Sequence, residues 1–337
     1  MKEALFYEKL KDKTLRCYLC NHECTIQDGQ FGICHVRQNK DGILYTHVYD
    51  RIVAEHIDPI EKKPLFHFLP GSRSYSVATV GCNFKCRFCQ NANIAQMPAD
   101  QGQIAGMTLK PEQVVQTAIK NGCKSISYTY TEPTIYFEFA LETAKKAHEQ
   151  NLKNIFVSNG YMSKAAINTI GPWLDAANID LKSFNDHFYL KYCGGKIQPV
   201  LENLVSLKEN DVFVEITTLI VTGLNDDPKE IKQSAEFIVK ELGPDTPWHL
   251  SRFHPTYKLK DRPATPIETL QRSRKIGMDA GLHYVFTGNV PGDHGESTFC
   301  HHCGKLLIDR FGFRIQQTNL EGCQCPDCHT PVNIILE

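Results

Sequence analysis

The chain has 337 residues, of which 42% are hydrophobic, enough for one barrel-sized domain with small appendages. Its 37 basic and 38 acidic residues nearly cancel, which argues against nucleic acid or a membrane surface as the main partner. We find no apolar run of the length that a signal peptide or a membrane span needs, so we expect a cytoplasmic protein. Fourteen cysteines in that reducing compartment favour metal ligation over disulfides.

Residues 1–73 form a cysteine-rich module and a linker. Four thiols of this module have a spacing that allows a four-thiolate site, namely Cys17, Cys20, Cys24 and Cys34. Zinc is favoured there over an auxiliary iron–sulfur cluster, and His22 or His35 is an alternative to one of the thiols.

The linker carries the segment DPIEKKPLFHFLPGS, whose prolines break any long helix. Its Lys62, Lys63 and His67 suit either an anionic substrate or a purely structural belt at the mouth of the neighbouring domain.

Residues 74–297 alternate short β-branched runs with amphipathic helices, which predicts βαβ units and an α/β fold of the partial (β/α) barrel type. The strands are predicted at 75–80, 125–130, 154–158, 177–181, 213–221, 249–253 and 283–286. The helices are predicted to begin at Pro111, Pro133, Ser163, Asn185, Asp227 and Pro266. In such a barrel the functional residues are expected where the strands end.

The first predicted strand leads into VGCNFKCRFCQN, where Cys82, Cys86 and Cys89 have the spacing C-x3-C-x2-C. Three such thiols can ligate three irons of a [4Fe-4S] cluster and leave the fourth iron open to the amino and carboxylate groups of S-adenosylmethionine (SAM). Phe84 and Phe88 would help to exclude water from the cluster. The alternatives are three unconnected cysteines or a zinc site that lacks one ligand.

This loop resembles that of the radical SAM superfamily, and within it most closely the pyruvate formate-lyase activating enzyme group. The fuller pattern resembles the radical enzyme of the AmmeMemoRadiSam system. That pattern consists of CYLCNHEC, FGICHVR, DPIEKKPLFHFLPGS, VGCNFKCRFCQN, SYTYTEPTIYFEF, VSNGY, DLKSF and a terminal pair of CxxC motifs.

The resemblance implies SAM-contacting residues at the ends of two middle strands. Thr131 and Glu132 match the motif whose backbone and acid meet the amino group of SAM, and Asn159 and Gly160 match its ribose-side loop. Val157 stands where the activating enzymes have an acid before that loop. Read without the resemblance, these residues are a helix start and a turn.

Three further residues are implied near the adenosyl and methionine groups. Asp180 and Lys182 resemble the acid and the lysine that hold the ribose and the methionine carboxylate, and His254 resembles a histidine near the adenosyl group. The plain alternatives are a solvated strand end and a surface histidine.

Residues 298–337 form a second cysteine-rich module. Its two CxxC motifs, which contribute Cys300, Cys303, Cys325 and Cys328, flank a predicted hairpin and suit a structural zinc of the ribbon type or a rubredoxin-type iron. Cys323 is a spare thiol, and His301, His302 and His329 are less favoured as ligands. Cys123 and Cys193 stand alone in the sequence and are expected to be buried apolar residues or surface thiols.

We therefore expect a radical SAM enzyme whose 5′-deoxyadenosyl radical abstracts hydrogen from a small molecule or a protein. A glycyl-radical activase is the alternative, and a non-catalytic electron carrier or metal-binding scaffold is a third hypothesis. The resemblance implies an electron donor of the flavodoxin or ferredoxin type, and Memo-like and AMMECR-type proteins as companions.

Overall fold

The computed structural model describes residues 1–290 and 294–337, and its centre is one eight-stranded sheet. The strands are β1 (Ala54–Pro59), β2 (Arg73–Ala78), β3 (Ser125–Tyr128), β4 (Lys153–Ser158), β5 (Ala176–Asp180), β6 (Phe213–Ile220), β7 (Trp248–Arg252) and β8 (Val285–Gly288). They lie side by side in chain order, with β2 to β8 parallel. The seven predicted strands are thus confirmed to within two residues at most ends. Among the described residues, no strand pairing joins β1 to β8, which lie at the two edges of the sheet.

The strand β1 corrects the sequence analysis, which placed residues 1–73 outside the barrel sheet. Ala54–Pro59 pairs with β2 in antiparallel register, from Ala54 opposite Ala78 to Pro59 opposite Arg73. Its proline lies at the end of an edge strand, where a missing N–H does not interrupt the ladder.

Helices cover the sheet where the sequence predicts them. They are α1 (Pro111–Lys120), α2 (Phe137–His148), α3 (Lys164–Ile170), α4 (Gln198–Glu209), α5 (Pro228–Phe237) and α6 (Ile267–Asp279), with short α-helices at Ala92–Ala95, Met97–Gln101 and Asp186–Phe188. Single turns of other helix types lie at Ile60–Lys62, Pro133–Tyr136, Gly171–Trp173, Tyr189–Cys193, Ile238–Leu242 and His294–Glu296. Ser163 and Asp227 cap α3 and α5 by accepting backbone N–H groups. No helix among the described residues is long and apolar enough to cross a membrane.

One predicted helix is divided in the structure. Asn185 caps only Asp186–Phe188, and the chain turns at Gly194, which has a φ of +83°. Pro199 in the first turn of α4 then begins a separate helix that the sequence analysis did not distinguish.

The amino end of the barrel is filled by the linker between β1 and β2. The buried Glu215 of β6 accepts the backbone N–H of Phe66 at 2.9 Å and that of His67 at 2.7 Å, and it is 2.5 Å from His249 Nε2. The buried Arg310 of the C-terminal module donates to the Phe66 carbonyl at 2.7 Å. The linker is therefore a structural plug at this end.

The two cysteine-rich modules contain small antiparallel sheets. The N-terminal strands are Lys2–Glu3, Tyr7–Lys9, Leu15–Cys17, Thr25–Ile26, Arg37–Lys40, Ile43–Thr46 and Arg51–Ile52, the last paired with Met107–Thr108. The C-terminal strands are Thr298–Phe299, Leu306–Phe311 and Arg314–Thr318, of which the last two form the predicted hairpin. The N-terminal module contacts the carboxyl end of the barrel through a bridge between Cys20 and Met162. The C-terminal module contacts the plugged amino end through a bridge between Phe68 and Ile335.

Candidate active site

The loop after β2, here called the cluster loop, carries Cys82, Cys86 and Cys89 at the carboxyl end of the sheet, as expected for a barrel site. Gly81 begins the loop with a φ of +103°, and a Cβ there would lie 2.8 Å from Val36 Cγ1, so only glycine fits. Cys86 is a buried residue, and Cys82 and Cys89 are partly buried residues.

Phe84 and Phe88 are buried, as the water-excluding prediction requires. Phe84 packs against Tyr161 with ring centroids 4.9 Å apart, and Phe88 against Phe188 at 5.7 Å. These contacts form an apolar support for the loop.

The loop thiols fit a multinuclear cluster better than a single ion. The ligands of one ion lie within 4.8 Å of one another, as the C-terminal sulfurs do. Among the described residues, the sulfurs of Cys82, Cys86 and Cys89 are not all within that distance of each other. Cys82 Sγ accepts the N–H of Phe84 at 3.3 Å and lies 3.8 Å from Asn159 Nδ2, and such N–H groups stabilise cluster thiolates.

Cys193, which the sequence left as an isolated thiol, is buried beside this loop. A hydrogen bond between the Cys193 and Cys86 thiols lowers the pKa of Cys86, and Lys182 acts in the same direction while burial opposes both. The chain passes close by because Lys85 N donates to the Cys193 carbonyl at 2.7 Å. No motif in the sequence marks this approach.

Glu132 joins two strand-end loops through its carboxylate. It is 1% exposed and accepts the Thr134 N–H at 3.0 Å, the Ser158 hydroxyl at 2.8 Å and the Asn159 N–H at 2.9 Å. Burial raises the pKa of Glu132, against these hydrogen bonds. This carboxylate therefore positions the loops after β3 and β4, and its contact with SAM stays a prediction.

Asn159 reaches from the end of β4 to the cluster loop. Its Nδ2 donates to Asn83 Oδ1 at 2.7 Å, and Asn83 directly follows Cys82. Gly160 has a φ of +69°, and a Cβ there would lie 2.8 Å from Ile179 Cγ2. Close packing between neighbouring strand ends therefore requires this glycine. The sequence analysis did not identify Asn83. Its position between Cys82 and Phe84, as a polar residue inside the cysteine motif, could have marked it as a contact of the site.

Thr131 and Tyr130 attach the loop after β3 to the cluster loop. The Thr131 hydroxyl donates to the Thr79 carbonyl at 2.8 Å, and Asn91 Nδ2 donates to the Tyr130 carbonyl at 2.8 Å. The backbone of this loop is thereby fixed against both ends of the cysteine motif.

Asp180 and Lys182 form an ion pair at the end of β5, with Nζ 2.8 Å from Oδ2. Burial opposes the charge of Lys182, but Asp180 and the two neighbouring thiols together outweigh burial and raise the pKa of the lysine. The ammonium also interacts electrostatically with the thiols of Cys86 and Cys193. The structure thus brings both predicted residues to the cluster loop, whereas His254, after β7, is exposed.

Beneath these loops lies a buried ion pair that the sequence analysis did not identify. Lys63 Nζ is 2.6 Å from Asp58 Oδ2, and the same carboxylate accepts hydrogen bonds from Ser76 and Tyr130. Burial lowers the pKa of Lys63 to about 8, against the attraction of Asp58.

The C-terminal thiols form a compact four-ligand group, as predicted. Its members are Cys300, Cys303, Cys325 and Cys328, and their sulfurs all lie within 4.8 Å of one another. Two sulfur pairs are 3.6 Å apart, close to the roughly 3.8 Å that tetrahedral Zn–S bonds imply. Cys323 lies outside the group, and its thiol is directed to the Ile334 carbonyl. This module can bind one metal ion.

The neighbouring histidine His301 stacks instead on His283, with ring centroids 3.9 Å apart, and His283 Nδ1 is 2.8 Å from Asp245 Oδ1. One ligand atom each of Asp245, His283 and His301 lies within 4.8 Å of the other two.

The N-terminal thiols line one cavity, together with His22 and Asn83. The cavity walls include Cys17, Cys20, Cys24 and Cys34. His22 Nε2 lies 2.8 Å from the Asn83 carbonyl, so this nitrogen already has a partner. His35 is not among the wall residues.

Three comparisons with known proteins agree with this geometry. The sequence profile of the radical SAM superfamily matches residues 76–238. An uncharacterized protein of Methanocaldococcus jannaschii, MJ0808, is 45% identical over 338 residues and is covered over its whole length, as is this chain. The 4-hydroxyphenylacetate decarboxylase activating enzyme of Clostridioides difficile is 25% identical over 173 residues, which are 51% of this chain and 50% of that enzyme.

Among solved structures, SuiB of Streptococcus suis bound to S-adenosylmethionine aligns with a TM-score of 0.52 and 14% sequence identity. The alignment covers 74% of this chain and 60% of that chain, and it supports the fold alone. The fold, the cysteine loop and the sequence relatives agree, and they set aside the non-catalytic carrier. The chain belongs to the same family as MJ0808 and is a radical SAM enzyme.

Proposed function

We propose that the protein cleaves SAM reductively at a [4Fe-4S] cluster bound by Cys82, Cys86 and Cys89. The observation that carries the proposal is the meeting of this loop with Asn159 and Lys182 at one end of the barrel. A cluster held by these three cysteines would supply one electron to the sulfonium of SAM, which would break the C5′–S bond, release methionine and leave a 5′-deoxyadenosyl radical able to take a hydrogen atom from the substrate.

The residues of this chain bind and orient in that reaction. The Lys182 ammonium offers the charge that a methionine carboxylate requires, while Asp180 keeps it protonated and in place. Asn159 and the Phe84 N–H donate to the Cys82 sulfur, and the Phe rings keep water from the loop.

The proposed substrate is a small molecule or a residue of a companion protein of the Memo-like or AMMECR-type families. The sequence resemblance to the AmmeMemoRadiSam enzyme supports this choice. A glycyl-radical activase is the second candidate, since several relatives that align with about half of this chain carry activating-enzyme names.

The test is 5′-deoxyadenosine formation by anaerobically reconstituted protein supplied with SAM and a strong reductant. We expect product from the wild type and from Cys123→Ala, which alters a buried cysteine at the end of α1, and none from Cys86→Ala. Absence of product from wild type with full iron and sulfide would contradict the proposal.

A deuterium-transfer experiment separates the two substrate candidates. A partner glycyl-radical enzyme labelled with deuterium at the Cα of its glycines would pass deuterium into 5′-deoxyadenosine if the protein is an activase acting on it. Transfer from a labelled companion protein, or from a labelled metabolite, would favour the first candidate.

A further inference from the structure

The N-terminal thiols surround a cavity that adjoins the cluster loop. The cavity is small, with a volume of about 20 Å³, and its wall includes all four cysteines of the module. Leu19, Ile26 and Ile135 make the rest of the lining largely apolar. Asn83 belongs both to this wall and to the cluster loop, where it follows Cys82.

The spacing of the sulfurs differs from that of the C-terminal group. Four thiolates around one tetrahedral ion lie roughly 3.8 Å apart, which the C-terminal sulfurs match at 3.6 Å. Among the described residues, the sulfurs of the N-terminal cysteines are not all within 4.8 Å of one another. The same holds for the three sulfurs of the cluster loop. In a [4Fe-4S] cluster each thiolate binds a different iron, so its sulfurs stand further apart.

Two buried donors in the cavity wall lack acceptors. Arg37 is 2% exposed, and its terminal nitrogens bind Glu138 at 2.6 and 2.7 Å and the Leu5 carbonyl at 3.0 Å. Its Nε and the Nδ2 of Asn83 have no hydrogen-bond partner among the described protein residues. A buried donor without an acceptor destabilises the fold.

Sulfur atoms of an iron–sulfur cluster would accept these hydrogen bonds. Hydrogen bonds to cluster sulfurs, together with net charge and solvent exposure, set the reduction potential of such centres. The Arg37 guanidinium would in addition offset part of the negative charge that four cysteinates bring into an apolar cavity.

We propose that the N-terminal module binds a second [4Fe-4S] cluster, in place of the zinc that the sequence favours. Its ligands are Cys17, Cys20, Cys24 and Cys34. The two clusters of the protein then lie on either side of Asn83. This assignment does not depend on the proposed SAM chemistry.

The test counts acid-labile sulfide, because neither zinc nor rubredoxin-type iron contains any. The full-length Cys82→Ala/Cys86→Ala/Cys89→Ala variant, reconstituted anaerobically with iron and sulfide, removes the cluster loop as a source. We expect about four sulfides per chain in this variant and about eight in wild type, as one and two [4Fe-4S] clusters require. The reduced triple variant should also show the electron paramagnetic resonance signal of a one-electron-reduced [4Fe-4S] cluster.

The converse variant, Cys17→Ser/Cys34→Ser, should retain about four sulfides, while Cys123→Ser should retain all eight. A sulfide-free triple variant that still holds stoichiometric zinc in its N-terminal module would overturn the proposal. So would wild-type protein that never exceeds four sulfides per chain. Because these readouts need no SAM, failure of SAM cleavage would leave the result intact.

Discussion

The two four-cysteine groups of this protein lie at opposite ends of its barrel. The N-terminal group adjoins the cluster loop at the carboxyl ends of the strands, where His22 contacts the Asn83 carbonyl. The C-terminal group lies beyond the plugged amino end, where Ile335 N donates to the His67 carbonyl at 2.8 Å. Both groups contain four thiols, but only the N-terminal group lies beside the cluster loop. Its position, and not its number of cysteines, distinguishes it from the C-terminal group.

The two ends also differ in how their charged groups are used. At the amino end, both carboxylate oxygens of Glu215 are engaged by Phe66, His67 and His249 inside the protein. At the carboxyl end, Lys182 pairs with the partly exposed Asp180 and lies beside the thiols of Cys86 and Cys193. We therefore expect substitutions at the amino end to change stability and those at the carboxyl end to change chemistry.

The largest effect on stability is expected from loss of the C-terminal metal site. Cys325→Ser removes a fully buried ligand, and a module of this size depends on its metal to fold, since structural zinc supplies about 10–16 kcal/mol in isolated zinc fingers. We expect a lower melting temperature and loss of one metal ion per chain, measured by calorimetry and elemental analysis. The sulfide content should not change, and Cys323→Ser, which lies outside the site, is the control.

The next effect concerns the plug. Glu215→Ala leaves the backbone N–H groups of Phe66 and His67 buried without their acceptor, and we expect a loss of about 3–5 kcal/mol in the free energy of unfolding. Urea denaturation measures this loss, with the exposed Glu209→Ala as control. A Glu215→Ala variant with unchanged stability but impaired SAM cleavage would reverse the assignment of the two ends.

Sequence reasoning succeeded where local pattern determines structure and stopped where distant segments meet. The β-branched runs predicted the strands, and the CxxC pairs predicted the C-terminal site, since each pattern is contained in a short stretch. The approach of Cys193 to Cys86 is fixed by long-range packing and has no local signature. Nor does the spacing of the N-terminal cysteines in the sequence show how far apart their sulfurs lie in the fold, which is the observation behind the proposed second cluster.

A smaller effect is expected in the pH dependence of stability, which tests the plugged amino end of the barrel. Burial lowers the pKa of His67 to about 4, with Arg310 and His249 acting in the same direction and Glu215 against them. Between pH 6.5 and about 4 the unfolded chain therefore binds the extra proton, and stability falls as the pH falls through this window. The full contribution is about 3 kcal/mol.

His67→Gln should flatten this part of the profile, measured as melting temperature against pH, whereas the exposed His187→Gln should leave it unchanged. Comparison with wild type removes the contribution of the other titrating groups. An unaltered slope in His67→Gln would show that folding does not lower the pKa of His67.

The smallest effect on stability, and the most specific effect on chemistry, is expected from Lys182→Met. Methionine keeps much of the aliphatic side chain but removes the charge, and Asp180 is 36% exposed, so water can solvate the carboxylate left behind. We expect the KM for SAM to rise about tenfold to a hundredfold, the equivalent of a charged hydrogen bond of about 1.5–3 kcal/mol. Steady-state 5′-deoxyadenosine kinetics measure this change, with the exposed Lys191→Met as control.

The sulfide content of Lys182→Met decides between two roles for the lysine. Unchanged sulfide with a raised KM assigns Lys182 to cosubstrate binding, because the cluster is intact and only the affinity has changed. Lost sulfide with an unchanged KM in the remaining active fraction would instead mean that the ammonium stabilises the thiolates of Cys86 and its neighbours. In that case the ion pair at the end of β5 would be part of the cluster site, and the carboxylate of SAM would need another cation at the carboxyl end of the barrel.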